Sequence, residues 1–135
     1  MIRYLVAVAL AAASVAAQAQ SFAMKNEGGV GWVCAGVGLD EREALEGLEQ
    51  QADLELLLDT STRGAFVANV PVTLYRAGSK APLLSVTAAG PVCLFDLPAG
   101  RYRVEAAYHD ARRGAAVEIR AGSKRPARVV LSFPE

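Results

Sequence analysis

Five glycines fall within eleven residues, Gly28-Gly29-Val30-Gly31-Trp32-Val33-Cys34-Ala35-Gly36-Val37-Gly38, directly before an acidic run. Glycine density of this kind suits backbone that cradles phosphate, as in two common phosphate loops. A dinucleotide fingerprint needs G-x-G-x-x-G after a strand and before a helix. Counted from Gly29-Val30-Gly31, its third glycine falls on Cys34; counted from Gly36-Val37-Gly38, it falls on Glu41. A P-loop begun at Gly31 needs lysine after Gly36, and Val37 stands there. Acids crowd the following helix start, where a phosphate would be repelled. The segment is not a nucleotide loop. Two roles remain open for it: the glycines let the chain run flat against the fold, or Gly29, Gly31, Trp32, Gly36 and Gly38 form a contact surface. Trp32, the only tryptophan, either covers an end or edge of the core or offers a stacking platform for a sugar.

Other residue types with chemical potential group poorly. His109, the single histidine, cannot build a His-rich metal site and is expected exposed in a loop. Arg76-Ala77-Gly78-Ser79-Lys80-Ala81-Pro82 recurs as Arg120-Ala121-Gly122-Ser123-Lys124-Arg125-Pro126. A catalytic Ser-Lys pair needs its serine on a strained elbow beside a buried base, whereas both copies lie between strand-like runs. They read as turns, with glycine tolerating positive φ and proline starting the next strand. The acidic run lacks the D-x-D-x-D-G calcium pattern. No set of acid, base and nucleophile is legible, and no cofactor or metal is expected.

The compartment is more legible. Arg3, an apolar run from Leu5 to Ala17 broken only by Ser14, and Ala17-Gln18-Ala19 read as a signal peptide over residues 1–19. The run is shorter than the roughly 20 residues a bilayer needs, so the mature form is not expected to span a membrane. A periplasmic or secreted protein follows. Cys34 and Cys93 are then expected either to pair or to stay as buried free thiols. A bridge would close a loop of about 60 residues, about 4 kcal/mol in the chain-entropy model. Without Arg3 the bases number 13 against 14 acids. Nucleic-acid binders concentrate basic charge, so no nucleic-acid partner is expected. The charge is segregated along the chain. Residues 40–59 hold eight acids against Arg42 alone, a net of −7, whereas residues 60–135 net +6. Either an acidic helix lies near a basic sheet face within one monomer, or each patch meets an outside partner.

The elements that must carry these residues are mostly strands. Asp40 with Glu43 three residues on reads as a capping box for a short helix of about residues 41–51, burying Leu45, Leu48 and Ala44. From residue 52 onward short strands alternate with turns. Leu54, Leu56 and Leu58 share one face, and Pro71 marks a strand start or edge. Tyr102, Val104, Ala106 and Tyr108 face one way, against Arg101, Arg103 and Glu105. Val129, Leu131 and Phe133 close the set. The pattern predicts a mainly β fold: a seven-stranded antiparallel Greek-key β-sandwich with one short N-terminal helix. Residues 20–51 would be a glycine-rich lead-in with the acidic helix, and residues 52–135 the sandwich.

Val70-Pro71-Val72-Thr73-Leu74 and then Gly90-Pro91-Val92-Cys93-Leu94-Phe95-Asp96-Leu97-Pro98-Ala99-Gly100-Arg101-Tyr102-Arg103-Val104-Glu105-Ala106 resemble the carboxypeptidase regulatory-like domain, a transthyretin-like sandwich. Asp96–Ala106 matches its strand, Leu-Pro-x-Gly-x-Tyr corner and next strand. The corner residues are Gly100 and Tyr102, with the Tyr102 hydroxyl expected to bond back to main chain. The whole chain also looks like small secreted proteobacterial proteins that carry this domain and have no established function. The resemblance implies architecture more than chemistry. In the metallocarboxypeptidases the domain is a non-catalytic companion, and the peptidase's zinc site has no counterpart here. The C-terminal Tyr-Arg-Gly-Ser of the related hydroxyisourate hydrolases is also missing. The reading is a non-enzymatic binding or accessory module meeting an envelope protein. A domain contacting cell-wall glycan, and then a small hydrolase, are the alternatives.

Overall fold

The structure, a computed structural model, describes residues 23–61 and 64–134; the expected signal segment lies outside the described residues. The elements run β1 (Lys25–Glu27), β2 (Val30–Ala35), α1 (Leu39–Leu48), β3 (Leu54–Thr60), β4 (Val70–Arg76), β5 (Leu84–Ala88), β6 (Val92–Asp96), β7 (Gly100–Tyr108), β8 (Ala111–Ile119) and β9 (Ala127–Phe133). A short 3-10 turn, Glu49–Gln51, follows α1. Among the described residues no helix is long and apolar enough to cross a membrane.

The strands form two sheets, ordered β1-β2-β6-β3-β9 and β5-β4-β7-β8. Period-two alternation decides what each sheet buries. Leu54, Leu56 and Leu58 from β3, with Cys93 and Phe95 from β6, face Val70, Val72 and Leu74 from β4 and Tyr102, Val104 and Ala106 from β7. Val129, Leu131 and Phe133 of β9 complete that core, and Leu54, Leu56 and Leu58 are fully buried. At about 25 cal/mol per Å2 of apolar surface, this shared interior is the main source of stability.

Two expectations are corrected. Nine strands are present among the described residues rather than seven, because the segment read as a glycine-rich lead-in contributes β1 and β2. The sheets are also not wholly antiparallel, since β3 and β9 pair in parallel from Leu54 with Ala127 to Thr60 with Phe133. Alternation reports which face a residue occupies but carries no strand direction, so the parallel pair was invisible in sequence. Pro71 sits at the start of β4, paired on the β5 side with Thr87. The β7 ladder begins only at Val72, so the missing proline N–H interrupts no ladder there.

The first sheet has a second apolar face, and the helix covers it. Val33 and Ala35 of β2 and Leu94 of β6 point away from the main core and are buried with Leu45 and Ala52; Leu48, Val92 and Met24 pack beside them. Among the described residues, nothing covers the outer face of the other sheet in this way.

Candidate binding surface

The glycine-rich segment resolves into three structural tasks. Gly28 and Gly29, with φ 61° and 79°, form the two-residue turn between β1 and β2. Both positions demand positive φ, which glycine adopts without a steric penalty. Gly31 lies in β2 opposite Asp96, where a Cβ would stand 3.0 Å from the Asp96 Cβ. Gly36 and Gly38 carry the chain from β2 into α1, with Gly38 as the N-cap at φ 85°. Gly31 and Gly36 are buried, whereas Gly29 and Gly38 are exposed, so the five residues do not share one open face.

The expected capping box is corrected. The helix begins at Leu39, and its cap makes no side-chain hydrogen bond. Asp40 therefore lies inside the first turn with Glu41, where a carboxylate complements the free N–H groups and helix dipole without acting as the cap. Glu43 lies further along and is exposed. Leu45 is buried, and Leu48 and Ala44 are half-buried.

Trp32 points inward. Its ring packs partly buried against the main core, Lys25 Nζ stands 5.0 Å from the ring centroid, and its indole Nε1 is buried without a hydrogen-bond partner among the described residues. An inward ring with its donor enclosed is poorly placed to stack on a sugar. Two residues on, Cys34 pairs with Cys93 across the β2–β6 ladder, and the two are joined by a disulfide with Cα atoms 4.1 Å apart.

At the Leu-Pro-x-Gly-x-Tyr corner, the Tyr102 hydroxyl donates to Pro98 O at 2.7 Å, closing the bend that Gly100 opens. Beside this corner lies an arrangement that sequence reading missed. Asp53 accepts from Leu97 N through Oδ2 at 2.9 Å, while its main chain bonds Phe95 O and Ala127 N, each at 2.8 Å. It thus ties together the ends of β3, β6 and β9. Its side chain also shares a hydrogen bond with Asp96, which, with burial and the neighbouring charge, raises the Asp96 carboxyl above the usual range. Two carboxylates 43 positions apart in the chain leave no local pattern that could announce such a pair.

An open trough lies on the outer face of β5-β4-β7-β8. Cross-strand register places Thr73 beside Glu105 and Tyr75 beside Arg103, then Glu105 beside Gly114 and Ala107 beside Arg112. The resulting trough has a volume of about 340 Å3, floored by Ala107 and Gly114 and bordered by Thr73, Tyr75, Arg103 and Arg112. Arg103 Nε donates to Glu105 Oε1 at 2.8 Å, and both side chains stay substantially exposed, 53% and 38%. The guanidinium is held over Gly114, where a Cβ would come within 2.9 Å of Nη2. Alternation predicted that Arg101, Arg103 and Glu105 point outward. The trough itself depends on which residues of β4 and β8 lie alongside them, and only the register supplies that. A smaller hollow of about 260 Å3 lies at the end of the sheets between Asp53, Glu118, Arg120 and Arg125.

The remaining candidates are turns. In the two related heptapeptides Ser79 Oγ and Ser123 Oγ donate to Ala81 O and Arg125 O, and both serines are exposed. His109 is exposed in the β7–β8 turn at φ 52°, its ring 4.2 Å from that of Tyr108. Among the described residues no group of three or more His, Cys, Asp or Glu is placed to hold a metal ion. No protein-family model matches the chain, and no curated protein does.

Proposed function

We propose that this chain is a non-enzymatic binding or accessory β-protein acting outside the cytoplasm, periplasmic or secreted, with the trough on its second sheet as the contact surface. The observation that carries the reading is the unequal treatment of the two sheets. One outer face is apolar and covered by α1; the other is open and holds Tyr75, Thr73, Arg103 and Arg112 around a floor of small residues. A half-buried tyrosine beside arginine is a common anchor in protein contacts, because it contributes area at low entropic cost. The Cys34–Cys93 bridge supports an oxidising compartment. We further read β3 to β9 as the seven-stranded Greek-key sandwich of a carboxypeptidase regulatory-like domain, extended by β1, β2 and α1. The two-sheet arrangement from Leu54 onward supports that kinship.

The carbohydrate alternative moves from Trp32 to Tyr75, where an accessible ring stands beside hydrogen-bonding side chains. A photo-crosslinking residue placed at Tyr75 is expected to trap a partner in cells producing the protein. The same residue at Lys80, exposed in the β4–β5 turn, serves as the comparison. A thermal-shift screen with cell-wall fragments separates the two classes: a shift abolished by Tyr75→Ala identifies a glycan contact. Silence from both the Tyr75 crosslinker and the glycan panel overturns the binding-surface reading.

A further inference from the structure

The two outer faces of the molecule carry opposite charge. On α1 the exposed residues Asp40, Glu43 and Glu46 recur every three positions, a ridge of acids about 9 Å long at 1.5 Å rise per residue. Arg42, the helix's single base, is turned away from that ridge. Its guanidinium lies 5.2 Å from the Phe66 ring centroid, and its Nε donates to Gly36 O at 3.4 Å. Glu49, at the helix end, has its carboxyl raised by burial and by the charges of Glu55 and Glu46, as expected where acids crowd without enough cations. On the opposite side of the molecule Arg103 and Arg112 border the open trough. Arg112 pairs with Ala107, four positions from Arg103 along β7, so the two stand about 13 Å apart at 3.4 Å per residue. The slot between them is floored by Gly114 and Ala107; Glu105 stands within it, ion-paired to Arg103, so its positive charge comes from Arg112 and the adjoining Arg113.

Because the acidic helix lies on one sheet and the basic trough on the other, neither can neutralise the other within one chain. We propose that the occupant of the trough is a second copy of this chain, whose α1 ridge lies between Arg103 and Arg112 in a head-to-tail contact. The inference rests on the reading of the trough as the contact surface. It commits to self-association because the matching ridge is present on every copy, with the right sign and a length that fits the slot. A contact between two different faces leaves one trough and one ridge free at the ends of every assembly, so it can propagate. Charge pairing at exposed faces also makes it salt-dependent.

Sedimentation velocity on the full, oxidised chain tests it. At roughly 0.01 M salt the weight-average mass is expected to climb with protein concentration, and at roughly 1 M to return to that of one chain. Arg103→Glu with Arg112→Glu is expected to abolish the climb, as is Glu43→Lys with Glu46→Lys. An equimolar mixture of the two variants offers an intact trough to an intact ridge and a reversed trough to a reversed ridge, so association should reappear in the mixture. Near-ultraviolet circular dichroism checks that each variant is folded. Should a charge reversal unfold the chain, Glu43→Gln with Glu46→Gln and Arg112→Gln must weaken association in the same direction. A single-chain mass at every concentration in low salt overturns the proposal, as does association that survives both reversals. If self-association fails while Tyr75 still crosslinks to another partner, this inference falls and the binding-surface reading stands.

Discussion

At the scale of single residues, close approach and carboxylate crowding matter more than any catalytic grouping. Gly90 shows the first. A Cβ at this position would lie 2.4 Å from the carbonyl carbon and oxygen of Ala35, and backbone cannot yield as a flexible side chain would. Gly90→Ala is therefore expected to cost about 2–3 kcal/mol, read as a lower urea midpoint with an unchanged m-value. Asp96 shows the second. Its carboxyl is raised by the hydrogen bond with Asp53, by burial and by the Asp53 charge. A raised folded-state value means its contribution to stability is fully present below the unfolded carboxylate range and is lost as pH rises through the folded value. Asp96→Asn should therefore gain in stability relative to the parent as pH rises upward from the usual carboxylate range, and show little gain below it. Urea melts across that range check the sign. An advantage largest in acid would show that the Asp96 carboxyl is not raised in the folded state.

At the scale of elements, β2 lies one strand in from the edge of its sheet. It is held by the β6 ladder on one side and only by the three-residue β1 on the other, and the Cys34–Cys93 bridge reinforces the stronger side. The bridge spans 59 positions, for which loop-closure entropy gives about 4 kcal/mol in the chain-entropy model. Reduction, or Cys34→Ser with Cys93→Ser, should lower stability by about 2–5 kcal/mol. Hydrogen exchange in β2 should accelerate more than exchange in β4 or β7. Equal acceleration in all three strands would show that β2 and the second sheet unfold together.

At the scale of the whole molecule, the lead-in and the strands after residue 52 share one sheet and one buried apolar layer. Leu94 is fully buried beneath Leu45, Val33 and Ala35, all contributed by residues before 52. A fragment of residues 52–135 would expose that face and leave β6 as a sheet edge, which invites pairing between chains. It is expected to bind a hydrophobic dye and aggregate where the full chain does not. A monomeric fragment with a sharp melting transition would show that the seven later strands are self-sufficient.

Much of this was legible along the chain. Alternation in Leu54–Leu58 and Tyr102–Tyr108 assigned core and outer faces, because a strand's side-chain period is two whatever it pairs with. The two Arg-Ala-Gly-Ser-Lys turns and the tyrosine corner depend on residues within a few positions of one another, so they too were readable. Even the helix was found, though its start was misplaced by a cap that uses Gly38's backbone in place of an Asp40 side chain. The tertiary structure decided everything that depended on partners distant in sequence. It made strands of the glycine-rich segment, turned Trp32 inward, set β9 parallel to β3 and brought Asp53 to Asp96. It also put the acidic helix and the arginine-bored trough on opposite sides of the molecule. The division follows from range: side-chain alternation and turn chemistry are fixed by neighbours along the chain, whereas register, strand direction and the meeting of charges are fixed only when the whole core is buried at once.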